Sequence, residues 1–241
     1  MLQRLMLASL LYWGAAVAHA SGDVVFGAPF SNAMPLASYD GDQLAGGILK
    51  DLGNAIAQRL GRSARFVLLP RNRLVSALVD GQVDANCYAL PAWLDHPELR
   101  WSRPLIPNRD LVIGRADSMR IAAVADLADE PIGTVLGYRY PELERGLGNR
   151  FRRDDAPDMQ SNLRKLAAGR ARYAVVDELT LRYELRTTLG HFKPGSSLTV
   201  STFVASCVFS PKGSVSAEEL QRSTDALLLD GTIDAILARY R

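Results

Sequence analysis

Residues 44–88 read LAGGILKDLGNAIAQRLGRSARFVLLPRNRLVSALVDGQVDANCY, and the spacing within them decides the fold class. A glycine pair opens a segment in which Ile48, Leu52, Ala55, Ile56 and Leu60 recur at helical intervals and leave one face to bury. Gly61 ends it. The apolar run at 66–69 is short enough to be a buried strand. Leu74, Val75, Leu78 and Val79 form a second helical stripe, stopped by Asp80-Gly81, and 83–88 reads as a further strand. Helix, strand, helix, strand at this spacing predicts the right-handed parallel units of an open α/β sheet.

The same grammar continues on both sides. Residues 24–28 read as a first strand, 111–114 and 132–136 as later ones, and Pro141 suits the first position of a helix running through Leu147. Met159, Leu163, Leu166 and Ala167 make another helical stripe, ended by Gly169, before a strand at 173–176 and a helix at 178–186. Residues 198–209 are strand-like, and Ser216 with Glu219 forms a capping box that opens a helix through Leu228. A last helix ends at Tyr240. LRKLAAGRARYAVVDE at 163–178 echoes LVSALVDGQVDANCYA at 74–89, so two halves look like variations on one unit.

The first twenty residues stand apart. Arg4 supplies a positive start, 5–17 an apolar stretch, and Ala18-His19-Ala20 a small-x-small cleavage pattern, which together predict an export signal peptide and a periplasmic protein. No cysteine stands at the cleavage point to carry a lipid anchor. The net charge of +2, or +1 once Arg4 is lost, and the scatter of basic residues argue against a nucleic-acid partner. The three histidines show no metal-ligand spacing, and no cofactor motif is present. Cys87 and Cys207 either pair, as thiols in an oxidising compartment often do, or serve as small buried hydrophobes within two apolar runs.

Ligands of open α/β sheets sit beyond the carboxyl ends of the strands. At those ends stand Phe30, a ring for stacking or for packing under its loop, and Arg71, which faces a cleft or is solvated in a first helical turn. A cation there opposes the helix dipole unless an anion compensates it. Tyr88 closes the third strand. Trp93 and Trp101 bracket the next loop, either to stack on a flat ligand or to pack beneath it. Gly137-Tyr138-Arg139 forms a glycine turn entering a helix, which offers backbone N–H groups to an anion without being a phosphate loop. Arg139 would strengthen that site or lie on the surface. Asp177 ends its strand as a cleft carboxylate, a helix N-cap, or both.

GGILKDLGNAIAQRLG followed by FVLLPRNRLVSALVDGQVDA resembles the first lobe of the family 3 periplasmic solute-binding proteins of bacterial ABC transporters, the polar amino-acid-binding type. The likeness rests on the glycine before the first helix, Asp51 within it, the Pro70 to Arg73 turn and the Leu78, Gly81, Asp84 ending, and extends over most of 23–241, more faintly in the second half. It implies a two-lobed α/β fold, each lobe a mostly parallel sheet flanked by helices, with residues 21–108 and 200–241 in lobe one, 109–199 in lobe two, and two hinge crossings. It also implies a small-molecule ligand captured by hinge closure, an ABC permease or a membrane sensor as partner, and a monomer. In relatives the turn at Gly137 holds the ligand's acidic end, the residue matching Asp177 takes its amino group, and the strand of Cys207 runs beside that of Cys87. One feature departs from the pattern. The Thr-x-x-Arg element whose arginine forks onto the ligand carboxylate is missing, and Asp95 or His96 falls in its place. The expected ligand is therefore small, polar and acidic or amino-acid-like, bound in an altered way. A periplasmic enzyme of the cyclic-acid dehydratase kind on the same fold is the alternative, with Asp177, Asp95 and His96 as its available acids and bases.

Overall fold

The computed structural model describes residues 22–240; the leader sequence at 1–20 lies outside them. The first half of the chain builds β1 (Val24–Pro29), a hairpin of β2 (Ser38–Asp40) and β3 (Gln43–Gly46), α1 (Ile48–Arg59), β4 (Ala64–Leu69), α2 (Leu74–Val79), β5 (Ala85–Ala89) and β6 (Arg100–Arg115). There follow β7 (Pro131–Val135), α3 (Pro141–Leu147), β8 (Arg152–Ala156), α4 (Met159–Ala167), β9 (Tyr173–Asp177), α5 (Glu178–Thr187), β10 (Pro194–Phe209), α6 (Ala217–Leu229) and α7 (Thr232–Ala238). The large sheet runs in the order β4-β1-β5-β10-β6-β9-β7-β8. Its outer pairings are parallel, and the three involving β10 or β6 are antiparallel.

The two central strands join two cores. On one side α1, α6 and α7 bury Ile48, Leu52, Ile56, Leu220 and Ile233 over one sheet face, while α2 covers the other with Leu74 and Leu78. On the far side α4 and α5 pack Leu163, Leu166 and Leu181 on one face and α3 packs Leu143 and Leu147 on the other. The result is a two-lobed α/β fold. The loop after β1 reaches across it, placing Ala33 in the core of the opposite half.

Two expectations need correction, and one strand was not anticipated. The run at 66–69 belongs to an edge strand in which only Leu69 is fully buried, because β4 pairs with β1 alone. The strand expected at 111–114 is one end of the sixteen-residue β6, which carries Pro104 and Pro107; β10 bulges between Ala205 and Ser206 beside them, accommodating residues without an N–H. The charged stretch RRDDA, unremarkable as sequence, is β8, an outer strand whose charges suit a solvent-facing edge. Cys87 on β5 and Cys207 on β10 face each other in register and are joined by a disulfide.

Candidate functional site

A cavity of about 170 Å³ opens between the two halves, at the carboxyl ends of β1, β4, β5, β7 and β9. Its near wall comes from the first half. Pro70 is extended and leads into a single 3-10 turn, Arg71–Arg73, which projects Arg71 over the cavity. The guanidinium carbon lies 4.7 Å from the ring centre of Tyr138 and 5.5 Å from that of Trp93. Both aromatic faces favour the cation. Among the described residues Arg71 has no ion-pair or hydrogen-bond partner, so its planar fork of donors is free.

Gly137 makes the turn that carries Tyr138 to this position. Its φ of +79° is a conformation that side-chain-bearing residues rarely adopt, while a Cβ there would meet that of Arg71 only in ordinary contact, at 3.5 Å. Beyond it the Tyr138 hydroxyl donates to Asn32 Oδ1 at 2.7 Å, and the Met159 amide donates to the Ser31 carbonyl at 3.1 Å. These contacts cross from one half to the other.

The far wall is acidic. Asp177 is buried at the end of β9, where its Oδ1 accepts from the Thr180 amide and from Asn108 Nδ2, both at 2.9 Å. It thus caps α5 and faces the cavity at once. Asn108 also donates to the Tyr88 hydroxyl. Tyr88, at a φ of +78° that is costly for an aromatic residue, is held by that bond and by the rings of Trp93 and Phe203. Asp110 stands directly opposite Asp177 in the β6–β9 register and lines the same cavity. Burial, together with the Asp177 charge, pushes Asp110 up to about 7 despite the pull of Arg71. Burial also raises Asp177, against the hydrogen bonds from Asn108 and Thr180.

Of the residues singled out in the sequence, Arg71, Tyr88, Trp93, Gly137, Tyr138, Arg139 and Asp177 line this cavity. Phe30 does not: it is 48% exposed, and Asn32, two residues along the loop, takes its place in the wall. Trp101 packs against the core beneath α2. Asp95 and His96, the other candidate acid and base, lie outside the cavity lining. Arg139 sits at the rim, its side chain 55% exposed and 3.3 Å from Glu144. The amide cradle expected after Gly137 is largely spent, because the Tyr138 amide donates to the Val135 carbonyl and the Tyr140 amide to Glu144 Oε1. Asp110, Asn32 and Asn108 went unread in the sequence. Asp110 carried one available signal, a carboxylate placed immediately before the apolar run LVIG.

The raised Asp110 fixes a pH dependence. A carboxyl harder to ionise in the folded chain than in the unfolded one favours folding below the unfolded value near 4 and disfavours it as pH climbs to about 7. Ligand-free wild type should therefore lose stability relative to Asp110→Asn between pH 4.5 and 7.5. Paired thermal melts across that range check it; parallel curves would show that Asp110 ionises normally.

Among the described residues no group of three or more His, Cys, Asp or Glu is placed to hold a metal, and no helix is long and apolar enough to cross a membrane. The family model of the bacterial extracellular solute-binding proteins, family 3, matches residues 30–241. No curated protein matches the chain. Among solved structures, an ancestral arginine-binding protein bound to arginine superposes with a TM-score of 0.75 at 18% identity, covering 92% of this chain and 99% of its own. The substrate-binding protein of an amino acid ABC transporter gives 0.70 at 17%, covering 91% and 99%. The periplasmic VFT2 domain of Bordetella pertussis BvgS gives 0.70 at 16%, covering 90% and 93%.

Proposed function

This chain belongs to the family 3 bacterial extracellular solute-binding proteins, and from that premise we propose that it captures a small zwitterion of the amino-acid type in the periplasm and presents it to an ABC permease. One observation carries the reading: a guanidinium without a protein partner, Arg71, shares a cavity with the carboxylates of Asp177 and Asp110. A ligand carboxylate forks onto Arg71 and its ammonium meets Asp177, each group satisfying a charge the protein leaves open. Arg71 thereby takes the part first given to Arg139, and it substitutes from a different strand exit for the missing Thr-x-x-Arg clamp. The amino-acid-bound and amino-acid-transport relatives support this ligand class, and the leader pattern at 1–20 supports export.

Capture works by closure. Residues 21–108 with 200–241, and residues 109–199, act as the two lobes, hinged where β6 and β10 pass between them. Arg71 reaches Tyr138 and Asn32 reaches Tyr138 only when the lobes meet, so a ligand that bridges Arg71 and Asp177 favours the closed form by those added contacts. Calorimetry against the twenty common L-amino acids, followed by small-angle scattering with the best binder, tests both parts. Saturation should reduce the radius of gyration. Binding without compaction would rule out closure, and no binding by any amino acid would rule out the ligand class.

A further inference from the structure

A second chamber, of about 220 Å³, lies on the hinge side of the first. Three side chains belong to both walls: Trp93, Asp110 and Tyr140. Beyond them Leu90, Leu143, Val200 and Phe203 give the second chamber an apolar wall, Ser201 and Thr202 of β10 add hydroxyls, and the exposed Glu142–Arg145 ion pair borders it. The Trp93 and Phe203 rings meet edge to face at 5.0 Å and form an aromatic corner of the second chamber.

The register of the sheet relates the two chambers. Ser201 of β10 pairs with Asp110 of β6, and Asp110 pairs with Asp177 of β9. Residues directly opposite across antiparallel strands share a face, with Cβ atoms about 4.5–5.5 Å apart. The row Asp177, Asp110, Ser201 therefore runs from the first chamber, past the shared wall, into the second. Asp177 borders only the first, Ser201 only the second, and Asp110 both.

We propose that the ligand's ammonium sits between Asp177 and Asp110 while its side chain passes over Asp110 into the second chamber, so that the protein selects amino acids with large apolar or aromatic side chains over compact ones. This rests on the zwitterion reading of the first chamber. Asp110 has no hydrogen-bond or ion-pair partner among the described residues, and an ammonium shared by two adjacent carboxylates removes the repulsion between them. Leu90, Leu143, Val200 and Phe203 offer a long apolar side chain a burial that a compact side chain, ending short of Asp110, does not reach.

The test is calorimetry with L-phenylalanine, L-alanine and L-serine as probes. Phenylalanine should bind roughly 30-fold more tightly than alanine or serine, from the larger apolar surface removed from water. Ala92→Trp fills the second chamber, and Ala92 is exposed, so the variant leaves both cores intact. It should bring phenylalanine to within about threefold of alanine and leave alanine unchanged. Equal affinity for all three probes in wild type, or equal loss of phenylalanine and alanine in the variant, overturns the chamber assignment. If amino acids bind through Arg71 without this size dependence, only the second chamber fails. If none binds, or if Arg71→Ala leaves binding unchanged, the zwitterion reading fails and the chamber assignment with it.

Discussion

Arg71→Ala should all but abolish ligand binding while leaving the free protein folded. Truncating one member of a desolvated, hydrogen-bonded charge pair costs about 2–5 kcal/mol, which weakens binding by roughly 30-fold to several thousand-fold. Two losses add here. The ligand carboxylate loses the guanidinium that, among the described residues lining the cavity, has no protein partner, and the closed form loses the stacking of Arg71 between Trp93 and Tyr138. Arg71 belongs to none of the hydrophobic cores, so its removal opens no cavity in them. Arg71→Lys should recover only part of the affinity, because an ammonium neither forks onto a carboxylate nor stacks as a plane. Arg139→Ala, by contrast, removes an exposed pair with Glu144 and should change affinity by less than about threefold. Calorimetry on the three variants measures this. An Arg71→Ala protein that binds like wild type, beside an Arg139→Ala protein that does not, would move the anion site back to the glycine turn.

Loss of the disulfide should produce the largest change in stability. The bond spans 120 residues, and by chain entropy closing so long a loop contributes roughly 4–5 kcal/mol. For a chain of this size that corresponds to a fall in Tm of roughly 10–15 °C. Cys87 and Cys207 are both buried in the core beneath α1 and α6, so the double alanine variant is the proper comparison; serines would add buried hydroxyls and their own cost. Thermal unfolding of the double variant, and of wild type with and without reductant, measures the effect. Wild type unfolded without reductant should also show no thiol open to labelling. Two reactive thiols, or a Tm that neither reduction nor substitution moves, would sink the bond's role. The bond has a local consequence too: it fastens β10 to β5 one residue before Tyr88, which lines the cavity.

Much of the fold was legible in residues 44–88 because its determinants are local. Helical stripes at Ile48, Leu52 and Ile56, and at Leu74 and Leu78, report one-sided burial, which periodicity encodes directly. Gly137 and Pro141 were readable for a similar reason, since a turn with positive φ and a first helical position each demand a residue type. The edge strands were harder: β8 is charged at four of its five residues and β4 only half-buried, so neither pattern says whether a neighbour lies on one side or two.

Local pattern in the chain is enough to give alternating helices and strands in two similar halves, and to put Arg71, Trp93 and Asp177 where strands end. Which of these meet depends on how the strands pack. Asp110, Asp177 and Ser201 lie on strands far apart in the chain, and their alignment depends on the registers of β6, β9 and β10. One residue of slippage would turn Asp110 to the opposite face, and no local pattern in PNRDLVIG specifies that register. The choice of Arg71 over Arg139 is of the same kind. Both are arginines beside a turn, and what separates them is Glu144 near one guanidinium and two aromatic faces around the other. Charge is written in the sequence; whether a charge is already neutralised is a matter of distance, and distance is set by packing.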